Sequence, residues 1–410
     1  MYIFVSDAKY TEFSNNQFKN MEYIREKERG FDYIENIYVP GTFEVEIPEN
    51  VTKKIYVYAS LEIEDKHVKN IYDKEIQRIN NLERENNFKY KFEKEEYILG
   101  KEHVLRLESF KKNMTISADQ FVITDGKYKN IIAGYPWFLD WGRDSLISFE
   151  GILLMSNRIK EAEEVLLTYI RSARRGIVPN GFNEYDDMPL FNSADASLLL
   201  FAAIGKYLKY TNNYTFVEEK LFEKMKRIIK AYTDGTNLDG NNIYVDRKDC
   251  LLVTGTPDIQ NTWMDAKVNG KPVTPRNGKA VEMNALWYNA LCVMKDISEH
   301  LNKKVLKIQY GYMALKCKKS FEKEFFNIDN KCLYDVLGDA KIRPNQLFAL
   351  STEYPILDCS KDIARESFVT CTKKLLNKYG VRTLSPEDKE FKPEYSGGPI
   401  ERDSSYHQGT

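Results

Sequence analysis

The chain has 410 residues, with 60 Lys and Arg against 61 Asp and Glu and a formal net charge of −1. That balance offers no electrostatic case for nucleic acid or for an anionic membrane surface as a partner. Hydrophobic content of 42% and charged content of 30% are ordinary for a soluble globular protein, and the length suggests about two or three domains.

Residues 1–62 favour strands. Tyr2–Val5 is a short apolar run, and Glu44–Ile47 and Lys54–Ala59 alternate or run β-rich. Pro40-Gly41 predicts a turn between them. Only three or four strands fit, where a sandwich has about seven. These strands either pad another domain or belong to one whose beginning is missing. Residues 63–100 change period: Val68, Ile71, Tyr72, Ile76, Ile79 and Leu82 recur at helical spacing, as in a connector helix with a charged outer face.

Residues 101–410 read as one large α-helical domain. The pattern predicts helices near 101–118, 144–156, 158–173, 193–211, 215–233, 280–300, 302–325, 345–352 and 360–377. Tight links at Met155–Asn157 and Thr211–Asn213 alternate with long loops at 126–144, 176–192, 237–278 and 380–410. Helical hairpins with a short loop at one end and a long one at the other suggest a toroid. Its long loops would gather at one mouth and supply the site.

The loops hold the unusual residues. Tyr135–Glu150 reads YPWFLDWGRDSLISFE, with Trp137 and Trp141 beside Asp140, Arg143 and Asp144. Aromatic faces stack on sugar C–H faces, and carboxylates with Arg bind vicinal hydroxyls. The same residues also suit a helix start packed on an aromatic core, with Asp140–Arg143 as a local ion pair. Asn192 and Ser193 are N-cap candidates for the next helix, and Asp195 suits its dipole. In NTWMDA, Asp265 lies two residues after Trp263, where lost solvation would raise its pKa toward that of a general acid. Thr274–Asn289 carries Arg276, Lys279 and Glu282, the last equally suited to an ordinary helix start. Arg343-Pro344-Asn345-Gln346 precedes a short apolar helix, and Tyr406–Thr410 again mixes charge with aromatics.

Other site classes are thin. No phosphate loop, GxSxG elbow, HExxH or EF-hand loop occurs. The six cysteines form no CxxC pair and the four His show no zinc spacing, so neither metal nor cofactor is expected. Dispersed cysteines read as reduced thiols, and no signal h-region or apolar run of about 18 residues occurs, so a cytoplasmic location is expected. Carboxylate plus aromatic recurs instead, which is the combination that glycoside hydrolysis needs.

Five stretches carry a resemblance: AGYPWFLDWGRDSLIS, GIVPNGFNEYDDMPLFNSADASL, TWMDAKVNGKPVTPRNGKAVEMNALWYNAL, IRPNQLFALS and GVRTLSPEDKEF with ERDSSYHQGT. Together and in this order they resemble the glycogen debranching enzyme family, in its amylo-alpha-1,6-glucosidase domain of bacterial and archaeal type. RGFDYIENIYVPGTFEV is similar to the close of that family's N-terminal β-sandwich domain. The resemblance implies a mainly α protein: an incomplete (α/α)6 toroid, with roughly nine of its twelve helices present, after a β-sandwich remnant.

It also implies hydrolysis of α-1,6-linked glucose in glycogen, limit dextrin or another branched α-glucan. Asp265 matches the general acid of an inverting pair whose carboxyls stand roughly 6.5–9.5 Å apart. Trp137, Asp140, Trp141, Arg143 and Asp144 would line the terminal-glucose subsite. Asp195, Trp263, Lys267, Arg276 and Glu282 would complete it. The general base is expected beyond Thr410, with Glu401 and Asp403 poor substitutes. On that expectation the chain is cut at both ends, poorly stable and inactive by itself. The alternatives are a non-catalytic glucan-binding module and, on a similar toroid, a sugar epimerase, for which only His407 stands in a motif.

Overall fold

The computed structural model describes residues 1–61, 68–85, 101–125, 128–136, 138–183 and 188–409. Trp137 and much of the expected 63–100 connector lie outside the described residues. The chain divides into two compact units, the first running to Ile116 and the second from Ser117, with Gly397–Pro399 counted in the first.

In the first unit, β1 (Tyr2–Val5) pairs with β4 (Val57–Ser60), and β2 (Lys9–Glu22) with β3 (Ile34–Glu44), both antiparallel. A short helix, α1 (Ile24–Glu28), lies between β2 and β3, and α2 (Val68–Glu85) follows β4. The long β2–β3 ribbon was not legible, because nearly all its residues are exposed and no alternation marks a buried face. Pro40-Gly41 makes no turn. Both residues lie inside β3, opposite a register shift between Glu12 and Asn16. Pro40 has no N–H to give a ladder, so it sits where the pairing slips. Gly41 is needed there, since a Cβ would stand 2.4 Å from the Thr11 carbonyl oxygen. None of residues 1–61 is buried, so these ribbons enclose no core of their own.

The helix α3 (Lys101–Asp119) precedes a hairpin of β5 (Val122–Asp125) and β6 (Tyr128–Ile131). The second unit is then mainly helical. Its longer helices are α4 (Gly142–Phe149), α5 (Ile159–Ser172), α6 (Asp195–Thr211), α7 (Phe222–Asp234), α8 (Val281–His300), α9 (Lys304–Glu324) and α10 (Asp362–Leu375). The tight links use asparagines in the left-handed region, Asn157 at φ 55° and Asn212 at φ 52°. The Asn212 N–H closes α6 on the Leu208 carbonyl at 2.8 Å.

Burial separates two kinds of helix. In α8, 15 of 20 residues are buried, and in α6, 11 of 17, so both are enclosed on nearly every side. By contrast α9 buries only five of 21, in one stripe from Tyr310 to Phe321. On α5 the buried face is Ala162, Val165, Leu166, Thr168, Tyr169 and Ile170, close to the face its periodicity predicts. The enclosed helices pack on each other, α8 also against α9, and α6 also against α4 and α5.

The expected side-chain N-cap of α6 is not found. Ala194 occupies the cap position and the buried Ser193 hydroxyl has no partner. The Ala194 N–H instead donates to the Asn261 carbonyl at 2.8 Å, which ties the start of α6 to the 237–278 loop.

The enclosed and one-sided helices should respond differently to truncation. Leu291→Ala on α8, at a fully buried position, should destabilise by about 2–5 kcal/mol. Val305→Ala on the exposed face of α9 should change stability by no more than about 0.5 kcal/mol. Urea unfolding of the two variants checks the contrast.

Candidate active site

Arg143 organises the site. It is the second residue of α4, and α4 starts where it does because the Gly142 N–H donates to the Asn180 carbonyl at 2.7 Å. Gly142 allows that approach: a Cβ there would stand 2.4 Å from the Pro179 carbonyl oxygen. The guanidinium then meets two carboxylates. Its Nε and Nη2 donate to Asp195 at 2.7 and 3.1 Å, and its Nη1 donates to Asp265 at 2.9 Å. Asp195 opens α6 and is buried, while Asp265 stands on the 237–278 loop and keeps 35% of its side chain exposed. The N-terminal ends of α4 and α6 and the long loop therefore meet on one cation. Burial alone would lower the Arg143 pKa, but Asp195 and Asp265 outweigh it and hold the charge in place.

Asp265 is pulled both ways. Burial raises its pKa, Arg143 lowers it and Asp195 raises it again, and the balance lies above the usual carboxylate value. The segment before it alternates. Thr262 and Met264 point inward and are buried, while Trp263 and Asp265 are half-exposed on the other side. Asp265 and the exposed Lys267 line a cleft of about 300 Å³ with Asn192, Asp239 and Gln260.

The remaining expected residues divide. Trp141 is half-buried at the N-terminal end of α4, bridged to Gly181. Asp140 accepts a hydrogen bond from the buried Asn130, and Asp144 is exposed. The local Asp140–Arg143 pair entertained from sequence gives way to the longer reach of Arg143 to Asp195 and Asp265. Arg276 and Glu282, expected to complete the subsite, are enclosed. Their side chains are each 2% exposed and bonded to each other. Arg276 also donates to Asp335 through Nε at 2.7 Å and Nη2 at 3.1 Å. The buried guanidinium takes up the Glu282 carboxylate.

The C-terminal loop stands out in the sequence by its mix of charge and aromatics, but the sequence gives Tyr406 no site role and His407 only a passing one. The Tyr406 hydroxyl is pushed up by burial first, then by the charges of Asp265, Tyr395 and Asp144. The His407 ring meets Trp263 edge-on at 5.0 Å and Tyr406 at 4.1 Å. YHQGT carries these aromatics, but only the fold brings them to Trp263.

His407 is 7% exposed, its Nδ1 has no partner, and burial with the charges of Arg343, Arg143 and Arg276 pushes its pKa down to about 4. Above pH 6.5 both folded and unfolded states hold this ring neutral, and it contributes no pH dependence. Between pH 6.5 and 4 the unfolded chain takes up a proton that the folded chain refuses, so stability falls with pH. His407→Asn, which tolerates the left-handed φ of 61°, should remove about 2 kcal/mol of the loss between pH 7 and pH 4.5. Chemical unfolding of the two proteins at pH 7 and pH 4.5 measures it, and equal losses would show that His407 does not control the acid sensitivity.

Residues 1–54 match the family described as glycogen debranching enzyme N terminal. The glycogen debranching enzyme of Saccharomyces cerevisiae is 25% identical over 376 residues, covering 68% of this chain and 24% of that protein. The chain thus spans about a quarter of that relative's length. A wild-type glycosidase structure superposes with a TM-score of 0.51 at 12% identity, covering 70% of this chain and 74% of the other. A glycosidase variant in complex with glucose gives a TM-score of 0.50, with the same identity and coverage. At such identity the likeness speaks to fold alone. Residues 116–410 match the amylo-alpha-1,6-glucosidase family, and the chain belongs to that family.

Proposed function

We propose that the chain carries the acid side of an inverting α-1,6-glucosidase site that acts at the branch points of glycogen or a related glucan, on an (α/α)6 toroid. Family membership supports a glucan hydrolase. The alternation of enclosed helices (α6, α8) with one-sided helices (α5, α9) supports a double layer of helices.

One observation carries the reading. Asp265 is a half-exposed carboxyl beside Trp263 whose pKa stays raised although an arginine touches it. A raised carboxyl keeps its proton longer and can give it to a leaving glycosidic oxygen. Trp263 would stack a glucose ring, with Asp140, Trp141, Asp144 and Lys267 around it. Asp195 would hold Arg143, and Arg143 would orient Asp265. Arg276 and Glu282 serve from below. Inversion needs a second carboxylate roughly 6.5–9.5 Å away, leaving room for the attacking water.

Two outcomes test the role of Asp265. Because its folded pKa is raised, its ionisation opposes folding as pH rises through the carboxylate range. Asp265→Asn removes that opposition, so at pH 7 the variant should unfold at the same temperature or higher, and the gap should close below about pH 4. Glucose release from a limit dextrin should fall about a hundredfold or more, while isomaltose binding persists. The assay uses this chain, or a longer protein carrying it if the chain alone releases no glucose. Unchanged release would remove Asp265 as the acid. Isomaltose binding with no release from either protein would favour a glucan-binding module.

A further inference from the structure

Between the buried ion cluster and the half-exposed Trp263 stands one residue with no assigned role. Asn345 is 0% exposed. Its Oδ1 accepts the Trp263 indole N–H at 2.7 Å, and its Nδ2 donates to Asp335 Oδ1 at 2.7 Å. An indole only donates and a carboxylate only accepts, so the group between them must do both, in this one orientation. Asparagine satisfies that demand at this length. Aspartate would set a second carboxylate against Asp335, and leucine would leave the indole N–H without this acceptor.

Behind Asn345 the hold continues. Asp335 accepts from Arg276, and Arg276 is locked to Glu282 and also donates to the Thr262 hydroxyl at 3.3 Å. The neighbours of Asn345 in chain order fasten other loops. Arg343 Nη1 donates to the His407 carbonyl at 2.6 Å, and Gln346 Oε1 accepts the Leu333 N–H at 3.2 Å. All three side chains are buried and belong to one stretch, Arg343-Pro344-Asn345-Gln346. Trp263 is therefore pinned from two sides by one segment: its N–H by Asn345, and its ring edge by His407, whose backbone Arg343 holds.

We propose that Asn345 is a positioning residue for sugar binding: it connects the Trp263 indole to the Arg276–Asp335 ion cluster and so fixes the plane on which a glucose ring stacks. This rests on the reading of Trp263 and Asp265 as the glucan site. Removing Asn345 spares the cluster, because Asp335 Oδ1 still receives Arg276 Nη2 at 3.1 Å. Asp335 loses one of its donors, while the indole loses the acceptor it has in Asn345.

The experiment measures isomaltose affinity by calorimetry on the full chain and on Asn345→Leu, Trp263→Phe, their double variant and Trp263→Ala. Asn345→Leu should weaken isomaltose by roughly five- to tenfold, the equivalent of one lost hydrogen bond. Trp263→Phe keeps a ring but has no N–H, so adding Asn345→Leu to it should do little more. Additive effects in the double variant, or unchanged affinity in Asn345→Leu, would overturn the proposal. Unchanged affinity in Trp263→Ala would instead sink the site reading on which it rests. If Asn345→Leu does not fold, indole exchange carries the test. The Trp263 N–H resonance, assigned by its absence in Trp263→Phe, should resist exchange with solvent. Fast exchange would overturn the proposal.

Discussion

The site depends on one shared cation. Arg143 is 11% exposed at its side chain and answers two carboxylates more than fifty residues away in sequence, as the 52- and 122-residue separations to Asp195 and Asp265 show. A guanidinium has five donors in a fixed fork, so it can hold one carboxylate by two bonds and a second by one. That inequality divides the roles. Asp195 is tied by two bonds and buried, as a structural partner should be. Asp265 receives a single bond and stays part-exposed, which leaves it available to a ligand. Removing Asp195, which takes two of the Arg143 bonds, would leave buried positive charge undercompensated and loosen the meeting of α4 and α6.

Behind this clamp lies a second set of buried charges. Arg276 and Arg343 stand with Glu282 and Asp335, two of each sign, all at 4% exposure or less. Burial lowers the Arg343 pKa, and the nearby Arg276 adds to this, while Asp335 pulls the other way. Such a cluster is a poor source of net stability but a strict geometric constraint, since each member left unpaired would carry a large desolvation penalty. It holds the segment before Asp265 by Thr262 and, through Asn345, by Trp263. The proposed site thus rests on a buried polar floor.

Much of this was legible in the sequence. The helices of the second unit follow from apolar spacing, because each buries at least one stripe, and Asn157 and Asn212 mark their tight links. The motif loops were legible as unusual composition. What failed did so for physical reasons. Pro40-Gly41 signals a turn in most chains, but a bulged ribbon also accommodates it. Asn192 and Ser193 have the chemistry of caps, yet Ala194 takes that position and bonds to a distant loop. Arg276 and Glu282 carry charges that suit a ligand site, and only the structure reveals that they spend them on each other and on Asp335. Asn345 bears no charge and no aromatic ring, so composition gives it no prominence. Its importance arises from having a donor and an acceptor at the right distance from two groups that have one each.

The central claim is that Trp263 and Asp265 present one sugar-binding face, with Asp265 as proton donor. The most direct measurement is a crystal structure of the chain with isomaltose. The account predicts a glucose ring stacked on Trp263, the glycosidic oxygen within hydrogen-bond reach of the Asp265 carboxyl, and Arg143 still bridging Asp195 and Asp265. Isomaltose bound away from Trp263, or with Asp265 turned from the glycosidic oxygen, would contradict it.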